Sequence, residues 1–267
     1  MTQPKHPVVQ RHIWINADRV FYAGLIGQRS NRVMGSIQLY VSLSEPIRIS
    51  IDDGEWITTS MAVVQPYTPH RIACDNHLVA VIHIEPETVL ASALPDFLTA
   101  QGPLDDGVVI AQVRAAYLRI NSLCGITEPT TADFDRFLLG RSLTGRTFDA
   151  RIATLLDSIK NNPCGQASAA DCAAGAGMSV SGFLHLFRKH VGSTFRSFRS
   201  WKRGRSLLYR LIDPTNLVYL ALNAGYPDST HFSHSVRQLF GMTPTLLFKN
   251  HKHLRMHGHA APPPNAL

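Results

Sequence analysis

The 267-residue chain is poor in several features, and each shortage narrows what it can be. It has four cysteines, Cys74, Cys124, Cys164 and Cys172, and none of them stand in C-x-x-C spacing. In a chain this long they do not read as a disulfide framework, so a reducing cytoplasm is the expected compartment. No stretch approaches the ~20 uninterrupted apolar residues of a membrane span, so no membrane partner is expected. Residues 1–10 lack the apolar core of a secretory signal. No nucleophile sits in a turn such as G-x-S-x-G, and no catalytic residue is assigned: the chain is not expected to be an enzyme. Hydrophobic residues make up 45% and charged residues 17%, ordinary globular usage that argues against a wholly disordered chain.

Glutamate is absent from residues 147–267. Residues 1–146 hold 12 Lys+Arg against 14 Asp+Glu, a net of −2, whereas residues 147–267 hold 14 against 5, a net of +9. A near-neutral half joined to a strongly basic half points to a polyanion as the partner of the second, the bland alternative being a solvated basic surface.

Up to about residue 90 the chain reads as strands. Residues 36–43 (SIQLYVSL) alternate polar and apolar side chains, the period of a half-buried strand. Residues 48–51 do the same, and Asp52-Asp53-Gly54-Glu55 supplies a turn before residues 56–59, which predicts a hairpin. Residues 62–64 and 78–82 are further short apolar runs, and the set favours a small barrel or sandwich. The period then changes. Val109, Val113, Ala116, Ile120 and Leu123 mark one face of a helix, either the face that packs on the sheet or a dimer seam. Residues 133–139 suggest a second short helix, and residues 140–147 a linker.

The basic half contains a degenerate repeat. Ala176-Gly177-Met178-Ser179 parallels Ala224-Gly225-Tyr226-Pro227, and Phe183, Arg188 and Gly192 parallel Phe232, Arg237 and Gly241. Each copy has a short helix, a glycine, a tight turn and a longer amphipathic helix closed by glycine, the shape of a helix-turn-helix. In the first copy Ser179 is a fitting N-cap, and Val180, Phe183, Phe187 and Val191 form a core stripe. Ser181, Leu184, His185 and Arg188 form a second stripe suited to a major groove, with Leu184 either in the core or against a thymine methyl. In the second copy Asp228 or Pro227 opens the helix, Phe232, Val236, Leu239 and Phe240 face the core, and Ser229, Thr230, Ser233, His234 and Arg237 form the other face. Between the copies, residues 195–212 read as one basic helix, its cations either solvated, paired in the interior or set against phosphate, with Thr215 as cap of the next helix.

Residues 173–179 with 186–192, Phe198 and Arg203 of the linking helix, and residues 220–226 through 232–244 together resemble the AraC/XylS family of transcriptional regulators. The resemblance covers about residues 148–250. It implies a bipartite DNA-binding domain acting on promoter or operator duplex, most often as an activator working with RNA polymerase. It places base reading on Ser181, Leu184, His185, Ser229, Thr230, Ser233 and His234. Phosphate contact is expected from Arg188, Lys189, Arg203 and Arg237. His185 and His234 replace a common arginine, and a neutral imidazole cannot copy bidentate arginine–guanine contacts. The resemblance further implies an α+β chain: an amino-terminal cupin-like β-barrel with flanking helices over residues 1–140, sensing a small molecule and mediating a homodimer through residues 109–123. A linker at 141–147, an all-α domain with two helix-turn-helix units joined by a long helix at 148–250, and a disordered His/Pro-rich tail at 251–267 complete the expectation. Control by a protein partner in place of a small molecule, or a cupin enzyme fused to a DNA-binding module, are the alternatives. His70, His77 and His83 with Glu85 and Glu87 lack the H-x-H ligand spacing of a metal-dependent cupin, and the tail histidines 251, 253, 257 and 259 are not assigned a metal, so no cofactor is expected.

Overall fold

The computed structural model describes residues 10–26, 30–75, 78–120, 130–165, 167–211, 216–249 and 254–258. Its first part is built on strands β1 (Arg11–Ile15), β2 (Arg19–Gly24), β3 (Ile37–Ser42), β4 (Ile47–Ile51), β5 (Ile57–Thr59), β6 (Met61–Val64), β7 (His70–Ala73), β8 (Val79–Ile84) and β9 (Gly102–Leu104). The hairpin read from the sequence is present: β4 pairs with β5, Ile49 opposite Ile57. Asp52 and Asp53 bridge it with φ of 49° and 57°, the left-handed backbone that matches strand twist in tight hairpins. With β10 (Leu254–Gly258) from near the end of the chain, the strands form a seven-stranded sheet, in the order β10-β1-β2-β8-β3-β6-β9, and a three-stranded sheet, β5-β4-β7.

Strand alternation divides the large sheet into two apolar faces. Phe21, Leu39, Val41, Val63 and Ile82 pack against helices α2 (Gly107–Arg119) and α3 (Thr131–Leu139), which follow a one-turn α1 (Asp96–Thr99). Tyr40, Ala62, Val64 and Val81 pack on the opposite side against Ile47, Ile49 and Ile72 of the small sheet. Val109, Val113, Ala116 and Ile120 are buried in the sheet–helix core, so the stripe expected as a dimer seam is spent inside the protein. Sheet-facing apolar area outweighed the heptad spacing. Leu123, its last member, lies outside the described residues.

The second part contains α4 (Ala150–Asn161), α5 (Ala169–Gly175), α6 (Val180–Val191), α7 (Phe195–Ser206), α8 (Leu217–Asn223), α9 (Ser229–Phe240) and α10 (Pro244–Lys249). The basic linking helix is shorter than expected: α7 ends at Ser206 and tightens to a 3-10 turn over Leu207–Arg210. Helix and turn together span about 26 Å at the usual rises. Asn216, not Thr215, caps α8 by accepting from the Val218 N–H. Residues 140–147 run along the sheet domain, with Leu90 N–H donating to Thr144 O.

The small sheet covers only part of its face of the large sheet. The uncovered end, Ile13, Ile15 and Val20, is sealed by Trp201, Leu207, Leu211 and Phe240 from the helical part. All three sheet residues are fully buried, and exposing each would cost roughly 1.5–3 kcal/mol. The tail expected to be disordered also takes part: Leu254–Gly258 forms β10 and pairs in parallel with β1. Apolar Leu254 and Met256 pack into the same core, which a compositional reading of a His/Pro-rich segment does not weigh. The rest of the tail lies outside the described residues.

Two buried histidines carry a pH signature. His70 accepts a hydrogen bond at Nε2 from Tyr40, 2.7 Å away, and has Nδ1 3.0 Å from Thr68 O; His83 Nδ1 lies 3.0 Å from Ser36 Oγ. Burial, with Arg32 nearby, pushes His70 down to about 3, and burial pushes His83 down to about 4. A neutral folded ring and a protonated unfolded ring mean that stability is intact above about pH 6.5 and falls as pH drops toward the folded values. Each ring contributes a slope of about 1.4 kcal/mol per pH unit in that window. Thermal midpoints should therefore fall between pH 7 and pH 5; a midpoint that is flat or rises over that range contradicts the burial of both rings in neutral form.

Candidate nucleic-acid interface and regulatory cavity

Both helix-turn-helix units are built by local chemistry. Ser168 caps α5 with Asp171 in a reciprocal capping box, and Gly177 takes the positive φ, 64°, that ends the first helix. Ser179 caps α6, as expected, accepting from the Gly182 N–H. Phe183, Phe187 and Val191 are buried with Phe195 and Phe198. Val180, expected in the same stripe, is 43% exposed: at the first helical position it lies beyond the reach of this core. In the second unit Gly225 repeats the positive φ at 73°, and Asp228 caps α9 by accepting from the Thr230 and His231 N–H groups. Phe232, Val236, Leu239 and Phe240 are buried as the periodicity implies.

These caps and cores leave the other faces of α6 and α9 outward. Ser181, His185, Arg188 and Lys189 are exposed on α6, and Leu184 joins them at 40% exposure rather than entering the core. On α9, Ser229, Thr230, His234 and Arg237 are exposed and Ser233 is half-buried. Arg203 differs from the other expected phosphate contacts. It is half-buried, and its guanidinium stacks 5.5 Å from the Tyr226 ring centre in the turn of the second unit. It lines an open cleft with Arg199, Leu222, Gly225 and Pro227.

The interior pairing weighed for the cations of the linking helix is found at Lys202 and Arg205, with partners the sequence reading did not name. Lys202 Nζ lies 2.5 Å from both Glu85 Oε2 and Glu87 Oε1. Arg205 Nε lies 2.8 Å from Glu85 Oε1, and its Nη2 donates to the backbone carbonyls of Asn16 and Arg19. Trp201 Nε1 donates to the same Glu85 carboxylate at 2.9 Å. Burial alone would raise the Glu85 carboxyl, but Lys202 and Arg205 overcome it and hold Glu85 below the ordinary carboxylate range. Burial likewise works against Lys202, and Glu85 and Glu87 overcome it and hold the ammonium above its ordinary value. The signal was the spacing of Trp201, Lys202 and Arg205, which sets an indole beside two cations on one helical face. At the periphery Lys160 of α4 adds a bridge to Asp18, 2.8 Å apart.

Beside this cluster, between the large sheet and the helical part, is a cavity of about 240 Å³. Its walls are mostly apolar, with Ile13, Val20 and Met34 from the sheet domain and Leu211, Phe240 and Leu247 from the helices; Arg11, Arg32, Tyr22, Tyr40 and His83 supply polar groups. Burial pushes the Tyr40 phenol up to about 12, so it is neutral and a donor at physiological pH. Among the described residues no group of three or more histidine, cysteine, aspartate or glutamate side chains is placed to hold a metal ion, and no helix is long and apolar enough to cross a membrane. Of the tail histidines, His257 sits in β10 with its Nε2 3.0 Å from His12 Nδ1, and 251, 253 and 259 lie outside the described residues.

Residues 172–250 match the family described as a helix-turn-helix domain. The invasion protein InvF of Salmonella typhi and that of Salmonella typhimurium are each 33% identical to this chain over 72 residues, 27% of this chain and 33% of the relative. The chain thus spans about a third of the length of these curated relatives. Among solved structures, ToxT from Vibrio cholerae O395 superposes with a TM-score of 0.53 at 14% identity, covering 86% of this chain and 96% of that one. Wild-type ToxT of Vibrio cholerae strain SCE256 bound to an unsaturated fatty acid superposes with a TM-score of 0.50 at 12% identity, covering 87% and 96%. At these identities the likeness to ToxT is one of fold, and it extends over both parts of the chain.

Proposed function

We propose, from the membership of this chain in the AraC/XylS family of transcriptional regulators, that it binds a specific DNA duplex in the cytoplasm and tunes transcription by RNA polymerase in response to a small molecule. The observation that carries the reading is the pair of capped, solvent-facing helices α6 and α9 in a half of the chain, residues 147–267, of net charge +9. Ser181, Leu184 and His185, and Ser229, Thr230, Ser233 and His234, offer hydroxyl, methyl and imidazole groups to base edges. Arg188, Lys189 and Arg237, a turn further on, suit phosphate, with Arg203 reaching it from the cleft beside Tyr226. The regulator carries out no chemistry of its own in this reading.

The ligand we assign is a small amphiphilic carboxylate, lodged in the cavity between the two parts. Apolar walls suit an alkyl chain, and Arg11 and Arg32 suit the head group. The fatty acid bound to ToxT, a protein of the same fold, supports this class. A cavity walled by both parts of the chain is placed so that its filling bears on their relative position.

Binding to duplexes selected from a random library, followed by fluorescence anisotropy, tests the DNA reading. Arg188→Ala and Arg237→Ala should weaken all duplexes by similar factors and reduce the salt slope by about 1 each, whereas His185→Ala and His234→Ala should change which sequences are preferred. A protein that retains no duplex at low ionic strength, or is indifferent to all four changes, is not the regulator proposed. Oleate should raise the thermal midpoint of the intact chain in a concentration-dependent way, and Arg32→Met should reduce that rise. A midpoint unmoved by oleate removes this ligand class.

A further inference from the structure

Two short segments of the sheet domain meet the C-terminal ends of the recognition helices. Residues 30–34 precede β3 and residues 65–70 lead into β7, and they are bound to each other. Arg32 N–H donates to His70 O at 3.0 Å, His70 N–H to Arg32 O at 3.1 Å, and Tyr67 N–H to Met34 O at 2.7 Å. Tyr67 holds a φ of 62°, uncommon for a tyrosine and a sign that its surroundings fix the backbone there.

Each segment also touches the far end of one reading helix. Val33 N–H donates to Gln238 O at 2.7 Å. Gln238 lies in the last turn of α9, where carbonyls have no donor within the helix, so the sheet domain supplies part of the C-terminal cap. Ser30 Oγ donates to the carbonyl of Gly241, the residue that ends α9. The Tyr67 hydroxyl lies beside Ser193, directly after the glycine that ends α6. The second unit is thus held by residues 30–33 and the first by Tyr67.

Residues 30–34 reach the cavity directly, and residues 67–70 reach it through Tyr40 of β3. Arg32, Met34 and Tyr40 line it. The Arg32 guanidinium lies beside the Tyr40 hydroxyl, Tyr40 is hydrogen-bonded to His70 at 2.7 Å, and His70 Nδ1 is 3.0 Å from Thr68 O, a polar path from cavity wall to turn. Lys202 and Arg205 meanwhile tie the middle of the linking helix to Glu85. The linking helix is therefore tied at its centre, and the two reading units meet at their ends segments that are hydrogen-bonded to each other.

We propose that residues 30–34 and 67–70 form one coupling element, through which the state of the cavity sets the positions of both recognition helices at once. The proposal rests on reading the cavity as the regulatory site and adds the route by which it acts. A carboxylate drawn to Arg32 competes with Tyr40 for the guanidinium, and a shift there passes to Val33 and α9 directly and to Tyr67 and α6 through His70.

Amide hydrogen exchange on the intact, ligand-free chain tests the coupling. Tyr67→Phe removes the hydroxyl beside Ser193, and Ser30→Ala removes the donor to Gly241. Each change should make exchange several-fold faster in both the 188–193 and 236–241 peptides, leaving α2 unchanged. Faster exchange only in the peptide next to the altered residue, for either variant, overturns the proposal. Should Tyr67→Phe also speed exchange through β3 and β8, signalling lost folding, Ser30→Ala decides. The outcome does not depend on oleate: its failure to bind removes the ligand class, whereas a change confined to one helix end removes the coupling.

Discussion

A single carboxylate, Glu85, organises the interior of this protein. It is fully buried and is met by Lys202, Arg205 and the Trp201 indole, all from the linking helix. Two charges brought out of water repay the cost only when geometry and hydrogen bonding are good, and removing one partner of such a pair typically costs about 3–5 kcal/mol. Glu87 adds the second negative charge against two cations, so the cluster is neutral overall. It contributes directionality more than adhesion. Apolar contacts such as those of Trp201 and Phe240 with Ile13 and Val20 press the two parts together, and the ion cluster allows them one register.

That arrangement changes the meaning of the charge asymmetry. A net of +9 in the second part reads at first as a supply of cations for a polyanion. Lys202 and Arg205 are spent internally, and Lys160 is bridged to Asp18. Arg199 donates to the carbonyls of Gly165 and Ala167 within the helical part. The exposed cations of α6 and α9, Arg188, Lys189 and Arg237, remain facing outward where the serine, threonine and histidine side chains also face. The surface left for DNA is smaller and better defined than the composition suggests, and the cavity and the segments bearing on the helix ends lie on the opposite, inward side.

Much of this was legible in the residues because it is decided locally. Ser179 and Asp228 are caps, and Gly177 and Gly225 take the positive φ that ends the short first helix of each unit. Capping and turn chemistry act over three or four residues, within reach of a pattern. What the residues left open or did not show has the opposite character. The seam of Val109, Val113 and Ala116 fits a partner helix or a sheet equally well, and periodicity carries no information about which is nearer. Lys202 meets Glu85 across 117 positions, and β10 meets β1 across the length of the chain. Such pairings follow from where the sheet domain runs out of its own cover, a property of the assembled surface. The cap of α8 was missed by one residue because Thr215 and Asn216 are both good caps.

The central claim is that the buried cluster holds the two parts in one relative position in the free chain. Pulsed electron-spin distance measurement tests it directly, with labels at Trp56, directly before β5 of the small sheet, and Lys189 on α6 and the four native cysteines replaced by serine. One narrow distance population is predicted for the otherwise intact chain, broadening when Glu85 and Glu87 are both changed to glutamine. A broad population in the intact chain, or a narrow one that survives the double change, contradicts the account.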